Sequence, residues 1–567
     1  MKKLTTNTEY SFLHNAWLIA KPYWFSKDRY KAIGILVTIV TFSLLEVYMS
    51  VRLNKWNSHF YNALQNYNKS GFLAALEEYG YIIFLFAIFT ILANYFSSVL
   101  EIRWRRWLTY FYLDEWLQSS TYYNARFTAK QVDNPDQRIS EDIREFVRQA
   151  IFLFNGLLKS VTTLTSFTII LWGFSGNFKF TLFNQKIYIP GLILWLAIMY
   201  SLLGTYLAFK IGRPLIKLAY EQQAYEADFR YNLVMIREHA ESIRSYNGGI
   251  AERSVVINNF KQIFNNFLIS AKRDAKLSLF NFINRQISTV VPIILVSGKY
   301  FNREITLGNL MQINSAFSQV QYSIAYFAFI YPTVANWRSV ITRITEFENT
   351  IHEVRKLPSV TVITATHKYL ELKNFGVKLP DGRELISNLS LTLTYGDRLL
   401  ITGRSGIGKS TVLKAINGLW PYSTGEIFKL PELQTLFINQ RPYLPPLVLK
   451  AAICYPKIHN LADDVSVKEA MLNYGLCNLV DELYQIKDWS RVLSLGEQQK
   501  IAFCRVALNK PDIIYLDETS SALDELAEQE LYTKIFKELP SSLFISVGHR
   551  STLKRLHSKI LNLDDML

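Results

Sequence analysis

A glycine-rich segment in the last third of the chain combines the residue types that bind phosphate groups. Its residues are, in order, Gly403, Arg404, Ser405, Gly406, Ile407, Gly408, Lys409, Ser410 and Thr411. This order matches the pattern G-x-x-x-x-G-K-[ST] in full, and it lies between a predicted strand at 397–402 and a predicted helix at 411–416. In that context backbone N–H groups surround the phosphates, Lys409 reaches the β- and γ-phosphates, and the Ser410 hydroxyl binds Mg²⁺.

A pair of acids follows about a hundred residues downstream, at the end of an apolar segment. Residues 513–516 read Ile-Ile-Tyr-Leu, as a buried parallel strand does, and Asp517 and Glu518 come directly after them. Two acids after a strand can be no more than a solvated turn. Because a phosphate loop precedes them, the sequence favours catalysis, with Asp517 holding Mg²⁺ and Glu518 polarising the attacking water.

Further polar segments lie around these two sites. Gln440 ends a predicted strand at 436–439, residues 493–499 read Leu-Ser-Leu-Gly-Glu-Gln-Gln, and residues 521–524 read Ser-Ala-Leu-Asp. His549 follows an apolar strand predicted at 543–547. A lone histidine after a strand is usually no more than a polar end residue.

In this order the segments resemble the ATPase cassette of ABC transporters, whose signature is of the LSGGQ type. The resemblance implies ATP and Mg²⁺ as cofactors. The residues that it places at the nucleotide are Ser494, Gly496 and Gln498 of the signature, Gln440 of the Q-loop, Asp524 of the D-loop and the switch histidine His549. The resemblance also implies that His549 contacts the γ-phosphate and that Gln440 contacts Mg²⁺, with both acting in catalysis beside Glu518.

The family resemblance also implies a dimer. Two cassettes stack head to tail, so that Ser494 and Gly496 of one present a helix N-terminus to the γ-phosphate bound by the other. One cassette with about six membrane helices is half of a transporter, and a homodimer is the simplest arrangement. The chain departs from the family at Leu379, where an adenine-stacking aromatic residue is usual, and at Leu495, where a second glycine is common.

The first two thirds of the chain contain long apolar stretches, and a helix needs about 20 such residues to cross a bilayer. The predicted spans are Ala32–Val51, Tyr79–Leu100, Ser160–Phe178, Ile187–Phe209, Ile287–Gly298 and one within Ile305–Trp337. The last is uncharged but rich in Ser, Gln and Tyr. We therefore expect it to face the protein interior or a watery path rather than lipid.

The chain has a formal charge of +15, which could indicate nucleic-acid binding. The basic residues instead cluster beside one end of the predicted spans, as is typical of membrane proteins. The positive-inside rule places both termini and two long loops, at 103–148 and 210–285, in the cytoplasm. Apolar residues recur at helical spacing in both loops, so we expect the membrane helices to continue into the cytoplasm. The three cysteines lie in the C-terminal part and have no metal-ligand spacing, which fits a reduced compartment.

These patterns predict a fold with an α-helical transmembrane bundle of the exporter-like type IV architecture, followed by an α/β P-loop ABC ATPase domain. The predicted domains are an N-terminal interfacial helix (1–30), a transmembrane domain with two long cytoplasmic helical loops (31–350), a linker (351–367) and the nucleotide-binding domain (368–567). The helix at the start spans Ser11–Ser26 and would lie at the membrane interface.

The membrane half resembles one branch of the superfamily. Asn134–Arg138 with Glu141–Asp142, and two segments at 226–231 and 241–248, resemble the cytoplasmic loops of peroxisomal fatty-acyl (subfamily D) half-transporters. The segments at 53–57, 60–65 and 305–312 resemble the SbmA/BacA-type domain of bacterial proteins. The resemblance implies a transporter of the bacterial inner membrane that takes up hydrophilic cargo such as peptides or corrinoids (vitamin B12).

Other functions are compatible with the same motifs. One alternative is an exporter or flippase of lipid-like or fatty-acyl cargo, and a second is an ATP-gated channel or regulator. A polar cavity beside the sixth span and residues 54–65 would favour uptake, whereas an apolar cleft would favour fatty-acyl cargo. The apolar spans argue against a soluble cassette protein that acts on DNA or ribosomes, so the expected partners are a second copy, lipid and a cargo, and not nucleic acid.

Glu46 is the candidate transport residue inside a membrane span. An ionisable group there is costly, so it pairs with a partner or faces water and often serves function. An equally good interpretation places Glu46 near the outer end of its helix, beside water. Lys159 and Arg285 are expected at helix ends, where long side chains reach the interface.

Overall fold

The computed structural model of the chain describes residues 9–117, 120–128, 134–175, 177–182, 185–358, 360–364, 369–430 and 432–566. It divides into two compact units. The first, here the membrane unit, comprises Met1–Ser120 and Val132–Ile351. The second, here the cassette unit, comprises Thr121–Gln131 and His352–Leu567, so a short segment from the first cytoplasmic loop groups with the cassette.

Helices make up most of the first two thirds of the chain. In chain order they are α1 (Glu9–Trp24), α2 (Arg29–Gln65), α3 (Lys69–Leu117), α4 (Thr121–Asn124), α5 (Pro135–Gln137), α6 (Ile143–Ser175), α7 (Leu192–Glu238), α8 (Ala240–Ser245), α9 (Gly249–Phe301), α10 (Leu307–Phe329) and α11 (Tyr331–Val354). A 3₁₀ turn at Ala125–Phe127 follows α4, and a π-helical turn at Arg138–Asp142 leads into α6. The strands β1 (Asn177–Leu182) and β2 (Gln185–Pro190) form an antiparallel hairpin.

Five helices in the described part of the chain are long and apolar enough to cross a membrane, namely α2, α3, α6, α7 and α9. α7 has 47 residues and α9 has 53. At 1.5 Å per residue these helices are about 70 and 80 Å long, whereas the hydrocarbon core is about 30 Å thick. The prediction that the membrane helices continue well beyond the predicted spans is therefore confirmed, and the cytoplasmic location of these extensions remains a prediction.

The predicted sixth span corresponds to α10, which packs against α2, α6, α7 and α9. Several of its polar residues face other helices. Gln312 and Ser323 are buried, and their carbonyl oxygens accept hydrogen bonds from the side chains of Asn54 (2.9 Å) and Ser160 (2.8 Å). The prediction of an interior helix is confirmed, although the helix ends at Phe329 and α11 begins after Ile330.

The segment between the first two predicted spans is largely helical, because α2 continues to Gln65. Trp56 stacks at 4.8 Å on Phe60 and lies 4.7 Å from the Tyr79 ring of α3, which stabilises the extension. α10 also approaches this part of α2 closely. A Cβ atom on Gly308 would lie 2.2 Å from the Ser58 carbonyl oxygen, so only glycine fits there.

α1 confirms the predicted N-terminal helix, although its place at a membrane interface remains a prediction. Ile19 and Tyr23 are buried, and the Tyr23 ring stacks on Trp104 of α3 at a centroid distance of 5.7 Å. The apolar face of α1 is therefore covered by the membrane unit itself.

The cassette unit alternates strands and helices. Its strands are β3 (Thr361–Thr364), β4 (Tyr369–Lys378), β5 (Glu384–Thr394), β6 (Arg398–Thr402), β7 (Ser423–Lys429), β8 (Thr435–Ile438), β9 (Ile513–Asp517), β10 (Leu543–Val547) and β11 (Lys559–Asn562). Its helices after α4 are α12 (Lys409–Ile416), α13 (Leu449–Cys454), α14 (Asp464–Asn473), α15 (Trp489–Val492), α16 (Leu495–Asn509), α17 (Glu525–Glu538) and α18 (Ser551–Leu556). The segments Cys477–Glu482 and Leu563–Asp565 are 3₁₀-helical.

Two sheets organise the cassette. The first is parallel, with the strand order β11-β6-β10-β9-β8, and every residue of β9 and β10 is buried. The second has the order β3-β7-β4-β5 and is mainly antiparallel. The carboxyl ends of parallel strands meet at one edge, where ligands bind in open α/β sheets.

A buried ion cluster ties α6 to α11 within the membrane unit. Asp142 is 3% exposed and accepts two hydrogen bonds from Arg343, at 2.6 and 2.9 Å, and one from Arg138 at 2.8 Å. Because the Asp142 carboxylate is shielded from water, its negative charge is stabilised by the guanidinium groups of Arg343 and Arg138.

Replacing Asp142 should therefore destabilise the membrane unit. We expect Asp142→Ala to cost about 3–5 kcal/mol, because two partly buried guanidinium groups lose their counter-ion. Glu221→Gln is the matched control, since Glu221 pairs with the exposed Lys217 at 3.5 Å and such pairs contribute less than about 1 kcal/mol. Thermal unfolding of both variants in detergent measures the effect, and equal melting temperatures would contradict it.

Candidate active site

The phosphate loop connects β6 to α12, as the sequence predicts. Gly403 and Gly408 have φ angles of 143° and 107°, in the region that L-residues with side chains rarely adopt. A Cβ atom on Gly408 would also lie 2.8 Å from the Leu385 Cδ1 atom. Glycine is therefore needed for the turn that presents the loop N–H groups at the start of α12.

Lys409 and Ser410 occupy the first turn of α12. The Lys409 ammonium donates hydrogen bonds to the Gly403 and Arg404 carbonyl oxygens, at 3.1 and 3.0 Å. Burial lowers the pKa of Lys409, and the nearby carboxylate of Glu518 opposes that shift. A desolvated ammonium over a phosphate loop interacts strongly with an anion, because little water competes for it.

The two predicted metal ligands are in contact. The Ser410 hydroxyl donates a hydrogen bond of 2.6 Å to Asp517 Oδ1. Burial raises the pKa of Asp517, and the hydrogen bond from Ser410 opposes the shift. A bound cation would offset the free-energy cost of burying the negative charge of Asp517. Mg²⁺ typically takes one or two protein carboxylates and completes its shell with substrate phosphates and water, so this oxygen pair fits the ion.

Glu518, Gln440 and His549 also come together. Glu518 Oε1 lies 3.3 Å from His549 Nε2, and Glu518 Oε2 lies 3.4 Å from Gln440 Nε2. Glu518 has a φ of 49°, an uncommon conformation for a non-glycine residue, and its N–H donates to the Val547 carbonyl oxygen at 3.2 Å. The turn thus directs the carboxylate away from β9, beside the phosphate loop.

The signature segment begins α16. Ser494 is the N-cap and forms a reciprocal capping box with Glu497. The hydrogen bond from the Ser494 hydroxyl lowers the pKa of Glu497. Ser494 is exposed and Gly496 lies in the first helical turn, so this helix N-terminus is open to a ligand from another molecule.

Gln498 differs from the expectation for a nucleotide ligand. Its side chain is 4% exposed and donates hydrogen bonds of 2.9 Å to the Ser490 and Leu493 carbonyl oxygens. These bonds fix the turn in front of α16. Within this chain Gln498 therefore positions the signature, and its contact with the nucleotide remains a prediction.

Asp524 lies at the N-cap of α17, where its side chain accepts a hydrogen bond of 2.7 Å from the Ala527 N–H. Leu379 lies at the turn between β4 and β5, and its N–H donates to the Arg383 carbonyl oxygen at 2.8 Å. Both residues remain predictions as nucleotide contacts.

Sequence reasoning missed Gln499, the last residue of the signature segment. This fully buried side chain donates to the Gln440 carbonyl oxygen (3.1 Å) and the Ser521 hydroxyl (3.2 Å), and it accepts from the Ala522 N–H (3.1 Å). One amide therefore joins the signature helix, the Q-loop and the D-loop.

Asp564 was also missed. Its carboxylate accepts hydrogen bonds from Arg404 Nε (2.8 Å) and from the Arg404 backbone N–H (3.1 Å), and so holds the start of the phosphate loop. Asp564 lies 160 positions from Arg404, and no local pattern marks it.

In the membrane unit, Glu46 has a partner. Lys159 Nζ lies 2.6 Å from Glu46 Oε2. The expectation that Lys159 and Arg285 lie at helix ends is wrong, because both are inside helices, in α6 and α9. The transport role of Glu46 remains a prediction.

Comparison with known proteins agrees with this geometry. Residues 19–301 match the family model for ABC transporter transmembrane region 2, and residues 386–521 match the ABC transporter model. The chain belongs to the ABC transporter family, as a half-transporter in which a membrane domain is fused to an ABC ATPase. It is a multi-pass membrane protein that hydrolyses ATP to drive transport.

Full-length relatives share this organisation. An uncharacterised ABC transporter ATP-binding protein of Haemophilus influenzae is 35% identical, over 97% of this chain and 92% of its own. The inner membrane ABC transporter ATP-binding protein YddA of Escherichia coli is 29% identical, over 97% of each chain. The human lysosomal cobalamin transporter ABCD4 is 26% identical, over 96% of this chain and 92% of its own.

The predicted fold class is confirmed by a solved structure, that of a bacterial Atm1-family ABC exporter with ATP bound. The two folds superpose with a TM-score of 0.69, over 95% of this chain and 94% of that one, at 17% identity. The type IV exporter architecture therefore holds for the helical region as well as for the cassette.

The contacts of Gln499 predict a strong effect on turnover. In Gln499→Leu the Q-loop and D-loop lose their shared amide, and a misplacement of about 1 Å at a catalytic site can cost about 100-fold in rate. We expect kcat for ATP hydrolysis to fall about 10- to 100-fold while KM changes little. Gln529→Leu, at an exposed position of α17, serves as control, and equal kcat values for the two variants would refute the role.

Proposed function

We propose that two copies of this chain form a homodimeric transporter of the bacterial inner membrane, with two Mg·ATP molecules bound between the cassettes. The observation that carries the proposal is the arrangement of Glu518 between Gln440 and His549, next to the Ser410–Asp517 pair. A channel or regulator that does not pump would tolerate a degenerate site. Here each of these groups is present and lies within reach of its neighbours.

Each side chain then has a role in phosphate chemistry. Lys409 neutralises charge on the β- and γ-phosphates, and the Glu518 carboxylate orients the attacking water and accepts its proton. His549 and Gln440 hold the Glu518 carboxylate in place, and His549 also approaches the γ-phosphate. Ser410, Asp517 and Gln440 would hold Mg²⁺, which spreads the negative charge of the phosphates.

The signature supports the dimer. The exposed N-cap Ser494 and the first turn of α16 offer N–H groups and a positive helix end to a ligand outside this chain. A second copy would supply the γ-phosphate that this N-terminus binds. The name of the Escherichia coli relative supports an inner-membrane location.

Closure of the cassettes would reach the membrane unit through the segment at 121–128. Phe127 packs edge-on against Trp420 with ring centroids 5.0 Å apart, and its carbonyl oxygen accepts a hydrogen bond of 3.0 Å from Tyr422. Trp420 Nε1 in turn donates to the Lys378 carbonyl oxygen at 2.8 Å, next to Leu379. A loop between two membrane helices thus contacts the part of the cassette predicted to meet adenine.

We propose hydrophilic cargo, such as peptides or corrinoids, taken up into the cell. A relative of nearly the same length is a lysosomal cobalamin transporter, which supports this class. The polar residues at 54–65 do not themselves supply the cavity expected there, because they contact α10. Asn62 and Gln65, for example, accept hydrogen bonds from the Gly308 and Leu307 N–H groups.

A second candidate is the export or flipping of lipid-like cargo. A cavity of about 720 Å³ between α7, α9, α10 and α11 is lined mainly by apolar side chains, including Phe209, Leu277 and Phe329, and Arg213 adds a positive charge. Such a cavity suits an acyl chain with an anionic head group.

Glu518→Gln tests the hydrolytic assignment. The amide cannot accept the proton of the attacking water, so we expect kcat for ATP hydrolysis to fall by about 100-fold or more, with ATP binding retained. Glu525→Gln, an exposed acid in the first turn of α17, is the control. Near-normal turnover in Glu518→Gln would contradict the proposed role.

Phe127→Ala tests the coupling route. Loss of the ring removes the contact with Trp420, so ATP hydrolysis should persist within about twofold while cyanocobalamin or peptide uptake per ATP falls about tenfold. Tyr122→Ala changes a neighbouring aromatic residue that is 55% exposed and should keep the wild-type ratio. Uptake and hydrolysis are measured together in proteoliposomes, and an unchanged ratio in Phe127→Ala would exclude this route.

A further inference from the structure

A half-open chamber of about 490 Å³, with many polar side chains in its lining, lies between α2, α3 and α6 of the membrane unit. Its lining includes the hydroxyl groups of Ser43, Ser97 and Ser98 and the amides of Asn94 and Asn155. Lys159 lines it as well, and Glu101 and Arg148 line its other end. The volume is in the range of small-molecule sites, about 300–1,000 Å³.

The chamber extends into the membrane-spanning part of the helices. The predicted span Tyr79–Leu100 is uncharged, and Glu101 is the first charged residue after it. Asn94 lies seven residues before Glu101, about 10 Å further along α3. Asn155 Nδ2 donates to Ser97 Oγ at 2.9 Å, and Lys159 lies one turn beyond Asn155. Polar groups at such depth normally face a partner or a water-filled path rather than lipid.

Two buried polar atoms in this region lack a partner among the described residues. Ser43 is 1% exposed and lines the chamber, yet its Oγ makes no hydrogen bond there. The Asn155 Oδ1 atom is likewise without a donor. Buried polar groups are nearly always hydrogen-bonded, so these two atoms need a polar solute or water as a partner in the chamber.

The charges around the chamber indicate which kind of molecule fits. The Lys159 ammonium is paired with Glu46 at 2.6 Å, and the Arg148 guanidinium is paired with Glu145 at 2.7 Å. Since each cation already has a carboxylate and Glu101 adds a further negative charge, the chamber disfavours an anionic ligand. The side-chain amides of Asn94 and Asn155 can both donate and accept, which complements other amide and hydroxyl groups.

We propose that this chamber is a cargo subsite for a net-neutral solute rich in amide and hydroxyl groups. The inference deepens the proposed function, on which its transport role rests, and assigns Glu46 to neutralising the Lys159 ammonium in the chamber wall. Ser43 and Asn155 make direct hydrogen bonds to the solute.

Site-directed labelling tests the proposal on the full-length protein. In a background carrying Cys454→Ala, Cys477→Ser and Cys504→Ala, the change Ser98→Cys places a thiol on the chamber wall. The reaction rate with a membrane-impermeant cationic thiol reagent is then measured with and without acetyl-tri-alanine amide as a neutral amide probe. Thr165→Cys, at an exposed position of α6 outside the chamber lining, is the control, and Asn94→Cys is a second reporter.

We expect both reporters to react faster than Thr165→Cys and the probe to slow them about tenfold. Adding Asn155→Leu should weaken binding of the acetyl-tri-alanine amide probe about tenfold, because one or two buried hydrogen bonds are lost. Labelling without protection would mean a hydrated chamber only and would overturn the proposal. Protection that survives Asn155→Leu, or reporters that do not react, would also overturn it.

The labelling experiment tests the cargo subsite separately from the proposed transport function. Probe protection is measured without nucleotide, and ATP hydrolysis is measured separately on the same preparation. Intact protection with no hydrolysis would refute the proposed function and leave a binding site, whereas hydrolysis without protection would refute the subsite alone.

Discussion

The active site depends on one electrostatic constraint. Carboxylates and cations lie close together at the carboxyl edge of the parallel cassette sheet. Asp517 and Glu518 end β9, the phosphate loop follows β6, and His549 follows β10, which lies between those two strands. Burial disfavours the charge of both Asp517 and Lys409. A bound nucleotide with its metal supplies the missing opposite charges, so binding energy is available for changes elsewhere in the protein.

The second constraint is the cost of polar groups inside a membrane. The membrane unit meets it in two ways. α10 buries its polar residues against neighbouring helices, as with the carbonyl oxygens of Gln312 and Ser323. α2, α3 and α6 instead surround a polar chamber in which Lys159 and Glu46 neutralise each other. The first arrangement stabilises the bundle, and the second forms the proposed cargo subsite.

The parts of the fold and of the active site that depend on a local residue pattern could be predicted from the sequence. The spacing of the phosphate loop specifies β6 and α12, because glycines and a Lys-Ser pair have few other uses in that order. Contacts between distant residues left no such signal. Gln499 joins groups 59 and 22 positions away, and Asp564 holds Arg404 across 160 positions. Lys159 was misplaced because a charge usually ends a predicted span, whereas pairing with Glu46 lets the helix continue past it.

The central claim is that two copies bind ATP between the phosphate loop of one and the signature of the other. In the cysteine-free background, a protein carrying both Ser405→Cys and Ser494→Cys measures this directly through oxidation with Mg·ATP present. We expect a disulfide-linked dimer on a non-reducing gel when ATP is present. Neither single-cysteine protein should form it. A product that stays monomeric at saturating ATP would contradict it.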